Sequence, residues 1–540
     1  MSTATVTPYR SAQPAGHDSF AQLLRAEWTK FRTVRGWVIG MVIAGLLMLA
    51  FGLLGVQGGS VCSSSGGPNP KTLTGAACGP TFPIGPGGQA VTDSFYFVRQ
   101  SLTGNGSITA RVTSLTGVQN PQAPPGSVSD SPGGLQQWSK AGIIIKASTK
   151  PGSAYAAMTV TGSHGVRMQY DFTQDIAGLP GSVSAVHPRW LRLTRSGDTI
   201  TGYDSADGTH WTQVGTAGLA GLPSTAQVGL FATSPVSGHL TESFGGGTGN
   251  FGPTIATGAF DHVSVSGGQH SGSWTGDPIG GPAGFGPNGQ GPGEGFQQAG
   301  GRFTVTGSGD IAPVVTGPGS GSGGTGTIQE HLIGTFAGLI AVIVVAVMFI
   351  TAEYRRGLIR VTLAASQRRG RVLAAKAVVI GLVTFVMGLV TAAIAVPVGV
   401  HLSRDQGLYM LPVSWLTAVR VVVGTAALLA VGAVLALAVG TILRRSAVAI
   451  TAVIVGVVFM YILGVVPGVL PSGAGQWLLR ITPAAGFAIQ QSSPVYPQVA
   501  NAYLPPDYYP LAPWAGFAVL CGYAVLAMGL AVFLLRRRDA

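Results

Sequence analysis

The amino-acid sequence predicts an α-helical polytopic membrane protein with six transmembrane helices and an extracytoplasmic all-β jelly-roll or sandwich domain inserted between helices 1 and 2. Three observations predict it. Charged residues make up only 9% of the 540 residues, against 46% hydrophobic residues and a mean hydropathy of +0.41, whereas a soluble chain carries about 25% charged residues. Six long apolar runs contain no Asp, Glu, Lys or Arg. Between the first two runs the sequence changes to short β-type segments and turn signals.

The six apolar runs are long enough to cross a bilayer. About 20 helical residues span a hydrocarbon core of about 30 Å, whereas buried core helices predict runs of about 10 to 14 residues. The first run follows a polar lead of 36 residues, which favours an anchor helix over a cleaved signal peptide. The predicted spans are residues 37–56, 332–352, 377–401, 421–443, 447–470 and 514–535.

The distribution of positive charge predicts the orientation. Lys and Arg concentrate in short cytoplasmic loops, and a cytoplasmic N-terminus places 17 of them in inner segments. The short outer loops then hold only Arg404, Arg420 and Arg480. We therefore expect a multi-pass protein of the cell (plasma) membrane, with both termini cytoplasmic and residues 57–329 extracytoplasmic.

The segment before the first span has two parts. Residues 1–17 are expected to be disordered. Within residues 18–36 four apolar side chains recur at spacings of four, four and three, which places them on one face of a helix. Such a helix lies in the inner headgroup layer and contacts membrane lipid; the alternative is a plain lead-in to the first span. The four residues are Phe20, Leu24, Trp28 and Phe31.

The large outer segment divides into three by composition. Residues 57–92 are predicted to be a linker, in which Cys62 and Cys78 lie where thiols oxidise, so a disulfide between them is an open expectation. Residues 93–266 contain about ten short β-type runs with tight-turn dipeptides such as Asn105-Gly106 and Asp207-Gly208. Residues 267–328 are rich in Gly, Pro and Ser, which predicts a flexible linker, although "RFTVTGSGDIAPVVTG" within it is compatible with a stray strand pair. The last five spans follow within residues 329–540.

The loop of residues 353–376 between the second and third spans is densely basic. It holds seven Lys and Arg residues and one acid, interleaved with the apolar segment "GLIRVTLAAS". There are two interpretations of this charge. Either it only keeps the loop on the cytoplasmic side of the membrane, or it also helps a partner to dock on a short helix that begins at Glu353. The candidate docking residues are Glu353, Tyr354, Arg355, Arg356, Arg360, Arg368, Arg369 and Arg371.

The chain lacks the motifs of catalysis. It has no complete phosphate-binding loop and no H-E-x-x-H, C-x-x-C or G-x-S-x-G, and its nine histidines are scattered. We therefore expect no enzyme activity, no catalytic or metal-binding residues and no cofactor in this chain. Because the spans carry no ionisable relay, we expect that, if these helices move a solute, the energy comes from another polypeptide. Nucleic-acid binding is not expected, since the positive charges border the spans.

Three stretches in order resemble ABC-2 type transporter permeases, most closely actinobacterial members. They are "LLRAEWTKFRTVRGW", "TAEYRRGLIRVTLAASQRRGRVLAAKA" and "LAPWAGFAVLCGYAVLAMGLAVFLLRRRDA". The resemblance covers residues 19–56 and 328–540. It implies an elbow helix at residues 18–36, a coupling helix within residues 353–376 that contacts a separate ATP-binding ATPase subunit, and two permease subunits per transporter, identical or different. It usually implies export.

The inserted segment has a resemblance of its own. "LTGNGSITARVTS", "WSKAGIIIKAST" and "RWLRLTRSGDTITGYDSADGTHWTQVG" are similar to concanavalin/laminin-G-like (LamG) jelly-roll modules. This resemblance implies a carbohydrate-binding role over residues 93–266. Either the aromatic residues of the segment stack on a glycan or they pack in the sandwich core. These residues are Trp138, Tyr170, Trp190 and Trp211.

These expectations favour the permease subunit of an ATP-binding cassette exporter. Two alternatives use the same elements: a membrane-anchored glycan-binding or adhesion protein without transport, and a sensor with the basic loop as its output. The sequence names neither the transported substrate nor the ligand of the sandwich.

Overall fold

The computed structural model describes residues 19–54, 61–63, 72–74, 82–119, 134–243, 246–252, 254–280, 293–315, 325–355, 369–466, 469–494, 496, 498–499 and 509–538. Within these residues a helical bundle and a β-sandwich are joined in one chain. Among the described residues, six helices are long and apolar enough to cross a membrane, in agreement with the six predicted spans.

The helices lie before and after the β-rich segment. A π-helical turn at Val455–Phe459 joins α6 to α7, and 3-10 helices lie at Glu330–Leu332 and Pro483–Gln490. The α-helices are α1 (Phe20–Thr33), α2 (Arg35–Leu54), α3 (Thr335–Arg355), α4 (Arg369–Asp405), α5 (Trp415–Leu443), α6 (Ser446–Ile454), α7 (Met460–Val465), α8 (Ser472–Ile481) and α9 (Pro513–Arg538).

Local chemistry sets several helix ends. Ser19 caps α1 by accepting a hydrogen bond from the Gln22 amide, and Ser414 caps α5 in the same way. The predicted span 447–470 ends five residues early, at Val465. Val466 has extended backbone angles there, as expected for the residue that precedes Pro467.

Helix α5 is the centre of the bundle. Two thirds of its apolar stretch, 67%, is buried, against 22% for α9. It packs against α3, α4 and α9. Apolar side chains on the outside of the bundle, such as Leu46, Val525 and Leu526, are mostly exposed, as expected for helices that face lipid.

The strands fill most of the segment between α2 and α3. They are β1 (Val61–Ser63), β2 (Thr72–Thr74), β3 (Val91–Asp93), β4 (Phe95–Thr103), β5 (Gly106–Gln119), β6 (Lys140–Lys146), β7 (Tyr155–Thr161), β8 (Val166–Tyr170), β9 (Gln174–Ala177), β10 (Arg189–Ser196), β11 (Thr199–Ser205), β12 (Thr212–Gly218), β13 (Thr225–Thr233), β14 (Ser237–Ser243), β15 (Gly246–Gly252), β16 (Thr254–Ser266), β17 (Gln269–His270), β18 (Thr275–Ile279), β19 (Gly295–Ala299), β20 (Arg302–Gly307), β21 (Ile311–Pro313), β22 (Thr325–Gly326) and, beyond α4, β23 (Tyr409–Met410).

Two antiparallel sheets form the sandwich. One has the order β12-β11-β10-β5-β16-β20-β19, and the other has the order β17-β4-β13-β6-β7-β8-β9 with β18 also paired to β4. Side chains alternate across the pleat: in β10, Leu191 and Leu193 are buried in the core, whereas Trp190 and Arg192 lie on the outer face. A β-sandwich is therefore present, as predicted.

The prediction of a flexible linker over residues 267–328 is wrong for much of the described part. Strands do form within residues 302–317, where a stray strand pair is the alternative, but β20 and β21 pair with other strands of the insert. Strand β18 pairs with β4, β20 pairs with β16, and β21 pairs with β3. Phe303 and Val305 of β20 alternate into the core and are buried. This alternation buries enough apolar surface to extend the sheet, although the surrounding Gly and Pro content suggested a tether.

The sandwich contacts one end of the bundle. The Ala90 amide donates a hydrogen bond to Tyr409 Oη at 2.8 Å, and Gln498 Nε2 donates to the Phe172 carbonyl at 2.9 Å. Strand β22, just before α3, pairs in parallel with β23, just after α4. We call this end of the bundle the sandwich end and the opposite end, which carries α1, the loop end.

Candidate functional site

Four charged side chains meet at the loop end of the bundle. Lys376 Nζ of α4 lies 2.6 Å from Glu27 Oε2 of α1 and 2.7 Å from Glu353 Oε1 of α3. Lys30 Nζ of α1 lies 2.9 Å from Glu27 Oε1 and 3.3 Å from Glu353 Oε1. We call these four residues the charge cluster; it joins three helices through two positive and two negative groups.

Helical spacing brings the members of the cluster together. Glu27 and Phe31 are four residues apart, so they share the face of α1 that is buried against the bundle. Lys30 lies at the edge of that face. Glu353 is in the last turn of α3 and Lys376 in the second turn of α4. The cluster therefore holds together the two ends of residues 356–368, which lie outside the described residues.

Most of the cluster is shielded from solvent. The side chains of Glu27, Glu353 and Lys376 are 3%, 8% and 1% exposed, whereas that of Lys30 is 40% exposed. Burial acts to lower the pKa of Lys30, but the hydrogen bonds and charges of Glu27 and Glu353 outweigh it, so the pKa is raised. Buried charges are tolerated only when they are paired in this way.

Aromatic side chains surround the cluster. Lys376 Nζ lies 4.8 Å from the centre of the Phe349 ring, within the range of a cation–π contact. Phe31 of α1 and Trp37 of α2 pack edge-on against the same ring, at 5.9 and 4.9 Å. The cluster therefore packs against three aromatic rings and has one buried carboxylate oxygen, Glu353 Oε2, that accepts no hydrogen bond from the described residues.

The predicted apolar face of α1 is divided by the structure. Phe31 is buried and Leu24 packs against the bundle, but Phe20 and Trp28 are 38% and 46% exposed. The buried face centres on Glu27, a residue that periodicity of apolar residues alone does not find. Its only signal in the sequence is that it is the single acid among the basic residues of Phe20–Thr33.

The prediction that a short docking helix begins at Glu353 is wrong. Glu353 and Tyr354 continue α3, which ends at Arg355, and the Glu353 carboxylate turns inward to Lys376. The Tyr354 ring lies 5.2 Å from the Arg444 guanidinium carbon. Helix α3 continues to Arg355 because no proline or glycine interrupts it between Glu353 and Arg355.

The remaining predicted docking residues are only partly described. Arg356, Arg360 and Arg368 lie outside the described residues. Arg369 is the first residue of α4, and Arg371 in the same turn is exposed. Lys376, absent from the predicted set, is the residue that completes the cluster.

The aromatic residues predicted for the sandwich have different environments. Trp138 is only 3% exposed and stacks on His164 at 4.0 Å, and Tyr170 packs against the hydrophobic core. Trp190 and Trp211 are half-buried on the outer face of the seven-stranded sheet. The Arg111 guanidinium lies 5.5 Å from the Trp190 ring, and that of Arg192 lies 3.9 Å from the Trp211 ring.

A salt bridge on the same face was not predicted. Arg111 donates two hydrogen bonds to Asp261, with Nε–Oδ1 and Nη2–Oδ2 distances of 2.7 and 2.6 Å. These bonds are the main reason that the pKa of Asp261 is lowered to about 2. A hydrogen bond from His262 contributes less, and burial acts in the opposite direction. Arg111 and Asp261 lie opposite each other on β5 and β16, so strand register places them together.

Two further predictions concern cysteines and metals. The expected Cys62–Cys78 disulfide lies outside the described residues, because Cys78 and the side chain of Cys62 are not described. Cys521 in α9 is a free thiol. No group of three or more His, Cys, Asp or Glu side chains that could hold a metal occurs in the described part of the chain.

Comparison with known proteins identifies the family. Similar solved structures include a functionally unknown protein from Saccharomyces cerevisiae (13% identity, 40% of this chain and 98% of that chain, TM-score 0.21) and scytalido-glutamic peptidase with a transition state analog inhibitor (10%, 41% and 100%, TM-score 0.24). These TM-scores are too low to support an argument. No curated protein matches this sequence. The family model described as "ABC-2 family transporter protein" matches residues 155–540. Since this match covers more than half of the sequence and includes five of the six candidate membrane-spanning helices, the chain belongs to the ABC-2 transporter family.

Proposed function

We propose that the chain is the membrane-spanning subunit of an ATP-driven exporter. Its loop end, with α1 and residues 353–376, lies in the cytoplasm and contacts a separate ATPase subunit. The sandwich lies outside the cell membrane. Two such subunits, identical or different, form the pathway. Family membership, six apolar helices and the uneven distribution of Lys and Arg support this proposal.

The charge cluster is the observation that carries the proposal. It binds both ends of the basic loop to each other and to α1. A displacement of the loop therefore moves α3 and α4 together, since separating them would expose unpaired buried charges. An ATPase that pushes on residues 356–368 would thus act on the bundle through a stiff attachment.

In this proposal ATP binds to the partner ATPase subunit and not to this chain. ATP binding closes the ATPase subunits, the closure displaces the basic loop, and the tilt of α3 and α4 switches access between the two sides. This chain supplies no catalytic group and binds no cofactor or nucleic acid. The interfacial residues Phe20 and Trp28, exposed on α1, rest in membrane lipid.

Removal of the positive charges of the basic loop tests its proposed contact with the ATPase subunit. Simultaneous substitution of Arg355, Arg356, Arg368, Arg369 and Arg371 by Gln should reduce recovery of the ATPase on affinity purification of the tagged chain in mild detergent. The matched control is Arg536→Gln with Arg537→Gln, which removes positive charge from the same side at the end of α9. Unchanged recovery and transport in the loop variant would contradict the proposal.

For the sandwich we propose glycan recognition on the outer face of the seven-stranded sheet. Trp211 carries Arg192 on one ring face, and a sugar would stack on the other. The Trp190 ring is covered by Arg111 and by the turn at Gly208, where an added Cβ would lie 2.6 to 3.0 Å from ring atoms. Trp138 is excluded by its burial. The Trp211→Ala variant of the full chain should lose binding on a glycan array, whereas Trp477→Ala, outside the sandwich, should keep it. Equal binding by both variants would contradict this role.

A further inference from the structure

A cavity of about 460 Å³ opens at the sandwich end of the bundle. Its walls are the residues that precede α5 and α9, the first two turns of α5 and the residues that follow the 3-10 helix Pro483–Gln490. This volume lies within the range of small-ligand sites. Among the described residues the lining contains one charged side chain, that of Arg420.

Arg420 points to the kind of ligand. It is half-buried, and its Nη2 donates a hydrogen bond of 2.5 Å to the Gln491 carbonyl. No ion pair with a carboxylate is formed by Arg420 in the described part of the chain. A guanidinium has five N–H donors in a fork that matches phosphate and carboxylate oxygens. A positive charge partly removed from water is stabilised by an anion.

Polar groups beside Arg420 extend the binding surface. Ser414 and Thr417 lie on the same wall, with their hydroxyl oxygens 3.0 Å apart. Ser492 also lines the cavity, next to the Gln491 carbonyl that accepts the hydrogen bond from Arg420. Hydroxyl groups and an arginine at the start of a helix are the groups that bind phosphate oxygens in proteins. The wall also includes apolar residues, such as Val413 and Leu511, which suit the glycerol or acyl part of an amphiphile.

The flanking residues place the cavity at the level of lipid headgroups. Trp415 and Trp514, at the starts of α5 and α9, are 72% and 64% exposed. Exposed tryptophans at helix ends mark the interface between hydrocarbon and water. A ligand in the cavity can therefore arrive from the bilayer or from solution.

We propose that this cavity binds a phosphate group, with Arg420 as the residue that recognises its charge. The phosphate belongs either to the headgroup of an anionic lipid or to a soluble phosphate ester. The site goes beyond the transport function proposed above. It is tested by binding alone, so a failure of the transport proposal leaves it unaffected.

Native mass spectrometry of the full chain in a phosphate-free detergent measures the binding. The probes are phosphatidylglycerol and diacylglycerol with the same acyl chains. We expect wild type to prefer phosphatidylglycerol, and Arg420→Gln to weaken that binding at least about tenfold, as for loss of a charged hydrogen bond. Arg480→Gln is the matched control: it removes a positive charge from the same end, where Arg480 packs on Trp477, and should change binding less than twofold.

Competition by glycerol 3-phosphate distinguishes the two sources. Displacement of phosphatidylglycerol assigns the site to the phosphate ester itself. Absence of displacement assigns it to a membrane lipid whose acyl chains contribute. Either result supports the site, whereas equal binding of phosphatidylglycerol and diacylglycerol by wild type would overturn it.

Two readouts keep the test independent of misfolding of Arg420→Gln. Arg420→Lys retains the charge but not the fork, so its affinity should lie between wild type and Arg420→Gln. In wild type, a photoreactive phosphatidylglycerol should crosslink to residues 412–420 or 491–494. Crosslinks confined to other parts of the chain, or wild-type affinity in Arg420→Gln, would refute the proposal.

Discussion

At the scale of single residues, the location of a charge matters more here than the number of charges. The basic loop is conspicuous in the sequence, but the contacts that join the helices are made by Glu27, Glu353 and Lys376. These groups are buried, and each depends on the others to offset the cost of leaving water. The cluster is therefore sensitive to the loss of any one member.

Substitution of Lys376 by Met should destabilise the chain strongly. It leaves the buried carboxylates of Glu27 and Glu353 with only the partly exposed Lys30 as a partner, and breaking a buried ion pair typically costs about 3 to 5 kcal/mol. Lys30→Met, which removes the exposed lysine of the same cluster, should cost about 1 kcal/mol or less. Thermal unfolding of the detergent-solubilised chain compares the two. A similar decrease in Tm for both variants would show that burial of Lys376 is unimportant.

The Arg111–Asp261 pair predicts a pH dependence. The pKa of Asp261 is about 2 in the folded chain, against about 3.9 in the unfolded chain. Its stabilisation is therefore complete above about pH 4 and disappears as the pH falls through 2, with a magnitude of about 3 kcal/mol at most. The Tm of wild type should exceed that of Asp261→Asn at pH 6, and the difference should shrink towards pH 2. Tryptophan fluorescence measures both Tm values. A difference in Tm that stays constant between pH 6 and pH 2 would argue against this linkage.

At the scale of elements, small residues set how closely helices approach. Helix α2 and the turn before α3 are in contact at Gly52 and Gly334. A methyl group at Gly334 would overlap the Met48 carbonyl oxygen, and one at Gly52 would overlap the His331 carbonyl oxygen. Close backbone approach at glycine is a common packing mode of membrane helices. This contact joins the first span to the rest of the bundle.

Replacement of Gly334 by Ala should push α2 away from α3. Overpacking at a backbone contact costs about 1 to 3 kcal/mol. Gly522→Ala in α9 is the control, because a methyl group there meets no atom within 4 Å. Thermal unfolding in detergent should show a lower Tm for Gly334→Ala and an unchanged or higher Tm for Gly522→Ala. The reverse order would rule out close packing at Gly334.

At the scale of the whole molecule, the insert is attached to the bundle at more than its two chain connections. Tyr409 follows α4 and Gln498 precedes α9, and both bond to backbone atoms of the insert. The pairing of β22 with β23 adds a third contact. A ligand that displaced the sandwich would thus act on the residues that connect α4 to α5 and the 3-10 helix to α9.

The orientation of the molecule can be tested by thiol labelling. In a chain with Cys62, Cys78 and Cys521 replaced by Ser, a cysteine at Val186, which is 81% exposed in the sandwich, should react with an impermeant maleimide on intact cells. A cysteine at the exposed Thr29 of α1 should react only after permeabilisation. Both sites preserve the charges that determine topology. Labelling of Thr29→Cys in intact cells with protection of Val186→Cys would reverse the proposed orientation.

The features with a strong periodic or compositional signal were predictable from the sequence. Six apolar runs became six long helices, and alternating segments such as β10 became strands. Weaker signals gave a mixed result: composition predicted a linker where β18 and β20 pair with the sandwich, although the segment that forms β20 was also compatible with a strand. Composition averages over a window, whereas pairing depends on a few alternating side chains such as Phe303 and Val305.

What the sequence by itself determined is which segments are apolar enough to enter a membrane and which alternate to form a sheet, since both follow from local hydrophobicity. Only the tertiary structure decided which charges are buried and with what partner. Lys146 is fully buried against Asp93, 53 positions away, and Lys376 against Glu27, 349 positions away. The physical reason is that an ion pair depends on distance in space, and no local pattern encodes the approach of residues that far apart in the chain.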